Sequence, residues 1–328
     1  MIETRTAYSF NIVPPARYVP SLAEDALQGL FDEPRSLSPK YFYDERGSQL
    51  FDQICDTPEY YPTRIEAALL LRHARGIIEQ VRPRHILEFG SGTSRKTRYL
   101  LDACRDVGNP VCYWPFDICD VLLHDVAHGL QEDYPELGIR AQCGDFTAGI
   151  QHLPRPPEGE PCLYLFLGGT IGNFDQQQTR LFLDEVAEHM RPGDALLMGA
   201  DRVKDRKVLH EAYNDSRGLT AAFNLNLLKV LNDKLGADFD PALFQHHAAY
   251  NEHFQQIEMH LVASREQSVS FGQLGCELEM DKDEAILTEI SRKFRPDELR
   301  LMIEEAGLHQ QAHLEPENGW FSLVLARK

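Results

Sequence analysis

Ile86-Leu87-Glu88-Phe89-Gly90-Ser91-Gly92-Thr93-Ser94-Arg95-Lys96-Thr97 is the stretch that decides the fold. A short apolar run ends in an acid, two glycines follow at alternate positions, and a polar segment able to open a helix comes next. An α/β protein turns this way from a central strand into a nucleotide-type site. The glycines let the backbone take positive φ and let a ligand come close. Two phosphate-binding versions of the turn are disfavoured by single residues. A dinucleotide-binding turn has a third glycine in G-x-G-x-x-G, where this chain has Arg95. A P-loop has glycine directly before Lys-Ser/Thr, and here Lys96-Thr97 follows Arg95. The turn therefore suits an adenosine ligand that carries no phosphate. S-adenosylmethionine is the candidate cofactor, and an NAD-dependent oxidoreductase is disfavoured.

The same rhythm repeats outward from the turn. Helical periodicity runs over residues 65–81, and the motif itself predicts a strand over 85–88 and a helix over 96–104. Residues 111–116 read as a strand ending at Asp117, 121–132 as a helix, and 139–143 as a strand ending at Gly144-Asp145-Phe146. Residues 162–167 form an apolar strand ending at Gly168-Gly169-Thr170, followed by a helix over 177–189 and a strand over 195–199. Such alternation predicts a parallel sheet buried on both faces. Beyond Asp201 the pattern changes. Residues 204–235 are helical throughout, 254–264 alternate like a half-exposed strand, and 268–271 and 277–280 are short β-like segments. A helix over 296–306 and a strand over 320–326 restore the earlier rhythm. The expected class is α/β, a Rossmann-like sheet with an inserted α+β domain. The expected boundaries are 66–202 and 294–328 for the sheet domain and 1–65 and 203–293 for the other. Residues 1–38 are expected to be a partly irregular lead-in that packs with the insert.

Composition narrows the function classes. The chain has 328 residues, 43% hydrophobic and 26% charged, a soluble globular profile. Its net charge of −18 repels phosphate backbones and anionic lipid, so neither nucleic acid nor membrane is an expected partner. No secretory leader is read at Met1, and the longest apolar stretch, 162–174, is broken by glycines and too short to span a bilayer. Seven scattered cysteines without C-x-x-C read as reduced thiols, mostly buried, which points to the cytoplasm. His246, His247 and His253 have no carboxylate or cysteine at ligand spacing, so no metal is expected.

Ligands of open parallel sheets bind beyond the carboxyl ends of the strands. Asp117 lies 27 positions after Gly90, near the spacing at which an acid accepts ribose hydroxyls. Asp145-Phe146 pairs a carboxylate that could take an adenine amino group with a ring that could pack on the base. Gly168-Gly169-Thr170-Ile171-Gly172-Asn173 stands where a substrate meets the cofactor.

Further motifs carry a resemblance. They are Lys40-Tyr41-Phe42-Tyr43-Asp44-Glu45-Arg46-Gly47-Ser48-Gln49-Leu50-Phe51-Asp52, Glu59-Tyr60-Tyr61-Pro62-Thr63-Arg64, the glycine turn with Lys96-Thr97, Gly144-Asp145-Phe146, Phe166-Leu167 with the 168–173 loop, and Thr288-Glu289-Ile290-Ser291-Arg292-Lys293-Phe294-Arg295-Pro296. From about Ser36 to the C-terminus the chain resembles the histidine-specific S-adenosylmethionine methyltransferases. Within them it is similar to the branch that methylates the α-amino group of L-histidine to give hercynine in ergothioneine biosynthesis.

The resemblance implies a class I methyltransferase sheet, a substrate-binding insert and a set of site residues. Tyr43, Gly90, Lys96, Asp117, Asp145 and Phe146 match cofactor-contacting positions. Asn173 and Tyr213 match residues that hold the substrate carboxylate, and Tyr60 one at its amino and carboxylate end. Glu289 and Ser291 match the pair that grips the imidazole, and Met259 lines the side-chain pocket. Tyr43 and Tyr60 are the candidate catalytic residues. Gly169 departs from the family, which often has Ser there.

The residue chemistry agrees with these roles. Glu289 and Ser291, two apart in an extended segment, share one face and could accept from and donate to the two ring nitrogens. Aromatic faces tolerate a quaternary ammonium product. Tyr61 and Phe51 are expected to be core packing. The expected partner is small-molecule L-histidine, with S-adenosylhomocysteine as by-product and the protein as a monomer. The alternatives are an Nα-methyltransferase of another amino acid or of a histidine-derived thioether, and a non-catalytic module that senses the cofactor.

Overall fold

The computed structural model describes residues 8–328. The chain divides into two compact units. One comprises 8–19, Ile65–Arg202 and Phe294–Lys328; the other comprises Pro20–Arg64 and Val203–Lys293.

The first unit is built on strands β1 (Tyr8–Ile12), β2 (His85–Phe89), β3 (Cys112–Asp117), β4 (Gly138–Cys143), β5 (Cys162–Phe166) and β6 (Ala195–Asp201), with β12 (His309–Leu314) and β13 (Phe321–Arg327). They form one sheet in the order β1-β4-β3-β2-β5-β6-β13-β12. The first six run parallel, and β13 and β12 close the far edge antiparallel. Consecutive residues point to opposite faces, and both faces of the central strands β2, β5 and β6 are buried, which is why those strands are largely apolar. One face packs Leu87, Phe89, Trp114, Tyr164 and Met198 against helices α6 (Gln176–His189) and α9 (Pro296–Glu305). The other packs Ile86, Tyr113, Leu163 and Leu197 against α3 (Tyr61–Val81), α4 (Thr97–Asp106) and α5 (Asp120–Asp133). The strand order reverses between β2 and β5. The crevice at this switch point lies beyond their carboxyl ends, where Gly90 and Gly168 stand.

The second unit holds α1 (Leu22–Phe31), α2 (Glu45–Cys55), α7 (Arg206–Tyr213) and α8 (Leu219–Leu235). Its strands are β7 (Phe244–Asn251), β8 (Gln256–Ala263), β9 (Gln267–Phe271), β10 (Cys276–Met280) and β11 (Ala285–Arg292). The order β11-β8-β7 makes an antiparallel sheet, and β9 and β10 pair as a hairpin.

Three expectations are corrected and one is refined. The lead-in is partly irregular, as expected, but holds two regular elements that were not expected: Tyr8–Ile12 is a strand parallel to β4, and Leu22–Phe31 is a helix opened by a Ser21/Glu24 capping box. Residues 8–19 belong to the sheet unit and not with the insert; residues 1–7 lie outside the described residues. The helix expected over 204–235 is two, because Asp215 accepts the backbone N–H groups of Arg217, Leu219 and Thr220 and turns the chain there. The cysteines are less buried than expected, with three buried and four half-buried, and all seven are free thiols.

Candidate active site

In the sheet unit the glycine turn is held by its own strand ends. Gly90 and Gly92 have φ of 65° and 48°, the left-handed region that the motif leads one to expect. Gly90 N donates to Phe116 O at 2.8 Å, and Gly92 N to Asp117 Oδ2 at 2.8 Å. Asp117 also accepts from Cys119 N through Oδ1 at 3.2 Å, and burial raises its pKa. Its carboxylate thus fastens the turn to the neighbouring strand. Each oxygen keeps a lone-pair direction beyond these bonds. A Cβ at position 90 would meet the Phe146 ring at an ordinary contact of 3.6 Å, so it is the positive φ that calls for glycine there. Asp145 Oδ1 caps the following turn through Thr147 N and Oγ1, at 2.8 and 2.5 Å, and its Oδ2 makes no such bond. A glycine cradle, an aromatic ring and acids at two successive strand ends fit the nucleoside half of S-adenosylmethionine.

Glu88, the acid of the opening motif, points the other way. It is buried, accepts from Thr97 Oγ1 at 2.5 Å and from the Tyr113 hydroxyl, and burial pushes its pKa up to about 7. Lys96, matched to the cofactor, forms an ion pair with Glu66 at 2.5 Å. Glu66, 0% exposed, also accepts Gly168 N on both oxygens at 2.9 Å. A Cβ at Gly199 would lie 2.0 Å from Glu66 Oε1, so glycine is required there. Sequence reasoning did not find Glu66, because nothing local marks a helix acid that serves two distant glycines. Gly168 and Gly169 have φ of 84° and 70°, which explains the departure from serine at 169: a side chain there would be strained. Asn173 closes the short turn that follows, half-buried, with no hydrogen bond to its amide among the described residues.

In the second unit a small recess is lined by Phe51, Ile54, Tyr60, Tyr213, Met259 and Glu289, with Ala212, Thr220 and Phe223. Of the residues expected there from sequence, Tyr60, Tyr213, Met259 and Glu289 meet in one wall. Phe51, expected to be core, is part of the lining instead. Tyr61 is buried as expected, and its hydroxyl accepts from Lys204 at 2.6 Å. Tyr43 reaches this group through rings, lying edge-on to Phe51 and Phe223 at centroid separations of 5.9 Å each. Phe51 meets Tyr60 at 6.1 Å, and Tyr60 meets Tyr213 at 6.2 Å. Burial holds the Tyr60 hydroxyl well above its ordinary pKa, so it is neutral.

Glu289 enters this wall through a bulge. On β11, Leu287 pairs with His260 and Glu289 with Met259, leaving Thr288 as the extra residue. The bulge switches the alternation, so Glu289 and Ser291 join Met259 and Ile257 on the buried face. The Thr288 hydroxyl lies 2.7 Å from Asn224 Oδ1 and 3.0 Å from Met259 O, which satisfies groups the bulge leaves over. Glu289 is 9% exposed, and its carboxyl has no hydrogen-bond partner among the described residues. Burial pushes its pKa up to about 7, against the pull of the Lys293 charge. Lys293, 2% exposed, donates to Ser291 Oγ at 2.8 Å and Tyr213 Oη at 3.0 Å. Its place was legible: it follows Glu289 and Ser291 at the same two-residue step.

His246 donates or accepts through both ring nitrogens, to Tyr213 O and Asn224 Nδ2, each at 2.9 Å. Among the described residues no group of three or more His, Cys, Asp or Glu is placed to hold a metal ion.

The family described as "Histidine-specific methyltransferase, SAM-dependent" matches residues 22–328. The Histidine N-alpha-methyltransferase of Mycobacterium tuberculosis (strain CDC 1551 / Oshkosh) is 45% identical over 308 residues, spanning 94% of this chain and 95% of that protein. The protein of the same name from Mycolicibacterium smegmatis is 44% identical, spanning 93% of this chain and 94% of its own. Ergothioneine biosynthesis protein 1 of Schizosaccharomyces pombe is 30% identical over 80% of this chain and 35% of that protein.

Proposed function

We propose that this chain, which belongs to the histidine-specific S-adenosylmethionine-dependent methyltransferases, methylates the α-amino group of L-histidine three times to give hercynine for ergothioneine biosynthesis. The observation that carries the proposal is Glu289, a buried acceptor with no hydrogen-bond donor among the described residues, in a wall it shares with Tyr60, Tyr213 and Met259. A buried polar group in a folded protein is paired. The imidazole N–H of histidine is the donor that fits.

S-adenosylmethionine supplies a methyl group on a sulfonium, which passes in line to the amine lone pair while a neutral thioether leaves. The protein's part is to place the amine and exclude water. Tyr60 and Tyr43 orient the amine, which must be neutral to attack, and Tyr60 passes its proton outward by way of water. Asn173 takes the substrate carboxylate, Met259 packs on the ring, and Glu289 and Ser291 hold its nitrogens; the Tyr213 hydroxyl, matched to the carboxylate, instead donates to Ser291 Oγ at 2.8 Å. Gly90, Lys96, Asp117, Asp145 and Phe146 hold the cofactor. The rings of Tyr43, Phe51 and Tyr60 accommodate the growing positive charge by cation–π contact. No helix among the described residues is long and apolar enough to cross a membrane.

Mass spectrometry of purified protein incubated with L-histidine and S-adenosylmethionine tests the proposal. The expected product is trimethylated histidine. Methylation of tryptophan with none of histidine would overturn the substrate, and a product stopping at one methyl would overturn the hercynine assignment.

A further inference from the structure

We propose that Lys293 is a positioning residue that sets the hydrogen-bond polarity of the imidazole subsite, compelling Ser291 to donate where Glu289 accepts. The inference rests on the preceding one, in which Glu289 and Ser291 meet the substrate ring.

The argument is a count of protons. A lysine ammonium has donors and no acceptor. Lys293 Nζ donates to Ser291 Oγ at 2.8 Å and to Tyr213 Oη at 3.0 Å. The Tyr213 hydroxyl donates to Ser291 Oγ at 2.8 Å. Both acceptor directions of the serine oxygen are then filled, and its own proton has no acceptor within the trio. It goes to whatever enters beside it. Glu289 lies two residues earlier on the same face of β11. The subsite therefore presents one acceptor and one fixed donor.

A neutral imidazole matches that pair in one way only. Its N–H meets Glu289, and its bare nitrogen meets Ser291. An imidazolium has no bare nitrogen, and an indole has only an N–H. Either would leave the serine proton buried without an acceptor, which is unfavourable. Without Lys293 the serine hydroxyl could rotate and accept instead, and the discrimination would fade. Lysine is almost never this deeply buried without a partner or a task. Its charge also favours the ionised, accepting form of Glu289. The other titratable groups near this carboxyl are Tyr60 and Tyr213, with Cys55 and Tyr43 beside Tyr60 and His246 behind Tyr213.

The test uses L-histidine labelled with nitrogen-15 in the ring, bound to the whole protein with S-adenosylhomocysteine present to prevent turnover. The nitrogen shifts separate protonated from bare positions. In the wild type near neutral pH, one protonated and one bare nitrogen are expected. Lys293→Met should weaken histidine binding at least about tenfold while cofactor affinity stays within about twofold. The bound ring should then become a mixture of tautomers or an imidazolium, and the preference over tryptophan should shrink. Ser291→Ala should give a similar loss, and the double variant no more than the larger single one. An imidazolium in the wild type would overturn the proposal, as would a Lys293→Met protein with unaltered affinity and spectrum. Should Lys293→Met fail to fold, the wild-type spectrum and Ser291→Ala still decide. A wild type that binds no histidine would overturn both this proposal and the function on which it rests; one that binds and methylates histidine with an unaltered Lys293→Met would overturn this proposal alone.

Discussion

Two buried glutamates, one in each unit, are matched in electrostatics and opposite in surroundings. Burial pushes both Glu88 and Glu289 up to about 7. Glu88 accepts from the hydroxyls of Thr97 and Tyr113, which lock the glycine turn onto α4 and β3. Glu289 sits among rings and aliphatic carbons and accepts from nothing in the described protein. The contrast separates scaffold from site. In the sheet unit the buried acid is saturated by neighbours on its own elements, as a structural polar group should be. In the inserted unit the acid is left open, and a ligand's donor is what completes it.

Substitutions can break or sharpen that comparison. Glu289→Ala should weaken histidine binding about a hundredfold or more, roughly 3 kcal/mol, with cofactor affinity unchanged by calorimetry. Equal loss of both affinities would mean that Glu289 is scaffold after all. The ligand-free Glu289→Ala protein should not be less stable, since an uncompensated buried carboxylate has been removed.

The two acids share one pH dependence. Each folded-state value lies above the ordinary 4.5, so the stability that protonation carries is fully present below about 4.5 and is lost as pH rises through about 7. Their contribution to the unfolding free energy in urea titration should fall over that window by up to about 3 kcal/mol per group, opposed by buried histidines such as His189, whose pKa burial lowers to about 4. Glu289→Ala should remove its share of the slope. An unchanged slope would show that Glu289 is not the titrating group.

Glu88→Ala should behave in the opposite sense to Glu289→Ala. It strands two buried hydroxyls and should cost roughly 2 kcal/mol of stability, seen as a lower Tm. Asp117→Asn keeps one backbone bond and should weaken cofactor binding about tenfold, roughly 1.4 kcal/mol, with little effect on Tm. The smallest effect is expected from Gly169→Ser, about 1 kcal/mol of stability, because φ there is 70°. Unchanged stability in that variant would show that the loop relaxes freely.

The central sheet was legible because its strands are buried on both faces and therefore read as apolar runs. The expected strand over 162–167 lies on Cys162–Phe166, and the expected helix over 177–189 on Gln176–His189. The strands that escaped notice are the sheet's two edges. Neither Tyr8–Ile12 nor His309–Leu314 has a fully buried residue, the second is mostly polar, and what places them is backbone pairing to a neighbour. In the inserted unit the break at Asn214–Gly218 was hidden by helical composition on either side. A side chain that takes backbone N–H groups after the break decides it, and periodicity does not register such bonds.

What the sequence determined by itself was the sheet, its glycine turn and, through resemblance, the names of the residues that matter. Hydrophobic period and left-handed glycines are local properties, and they carry that much. Only the tertiary structure decided which acids are saturated and which stand open. Glu66 joins Lys96 to Gly168 across 102 positions of chain. One extra residue at Thr288 turns Glu289 and Ser291 onto the buried face. Tyr213 meets Ser291 and Lys293 from far along the chain. Register, bulges and buried ion pairs depend on partners that only folding brings within hydrogen-bond reach.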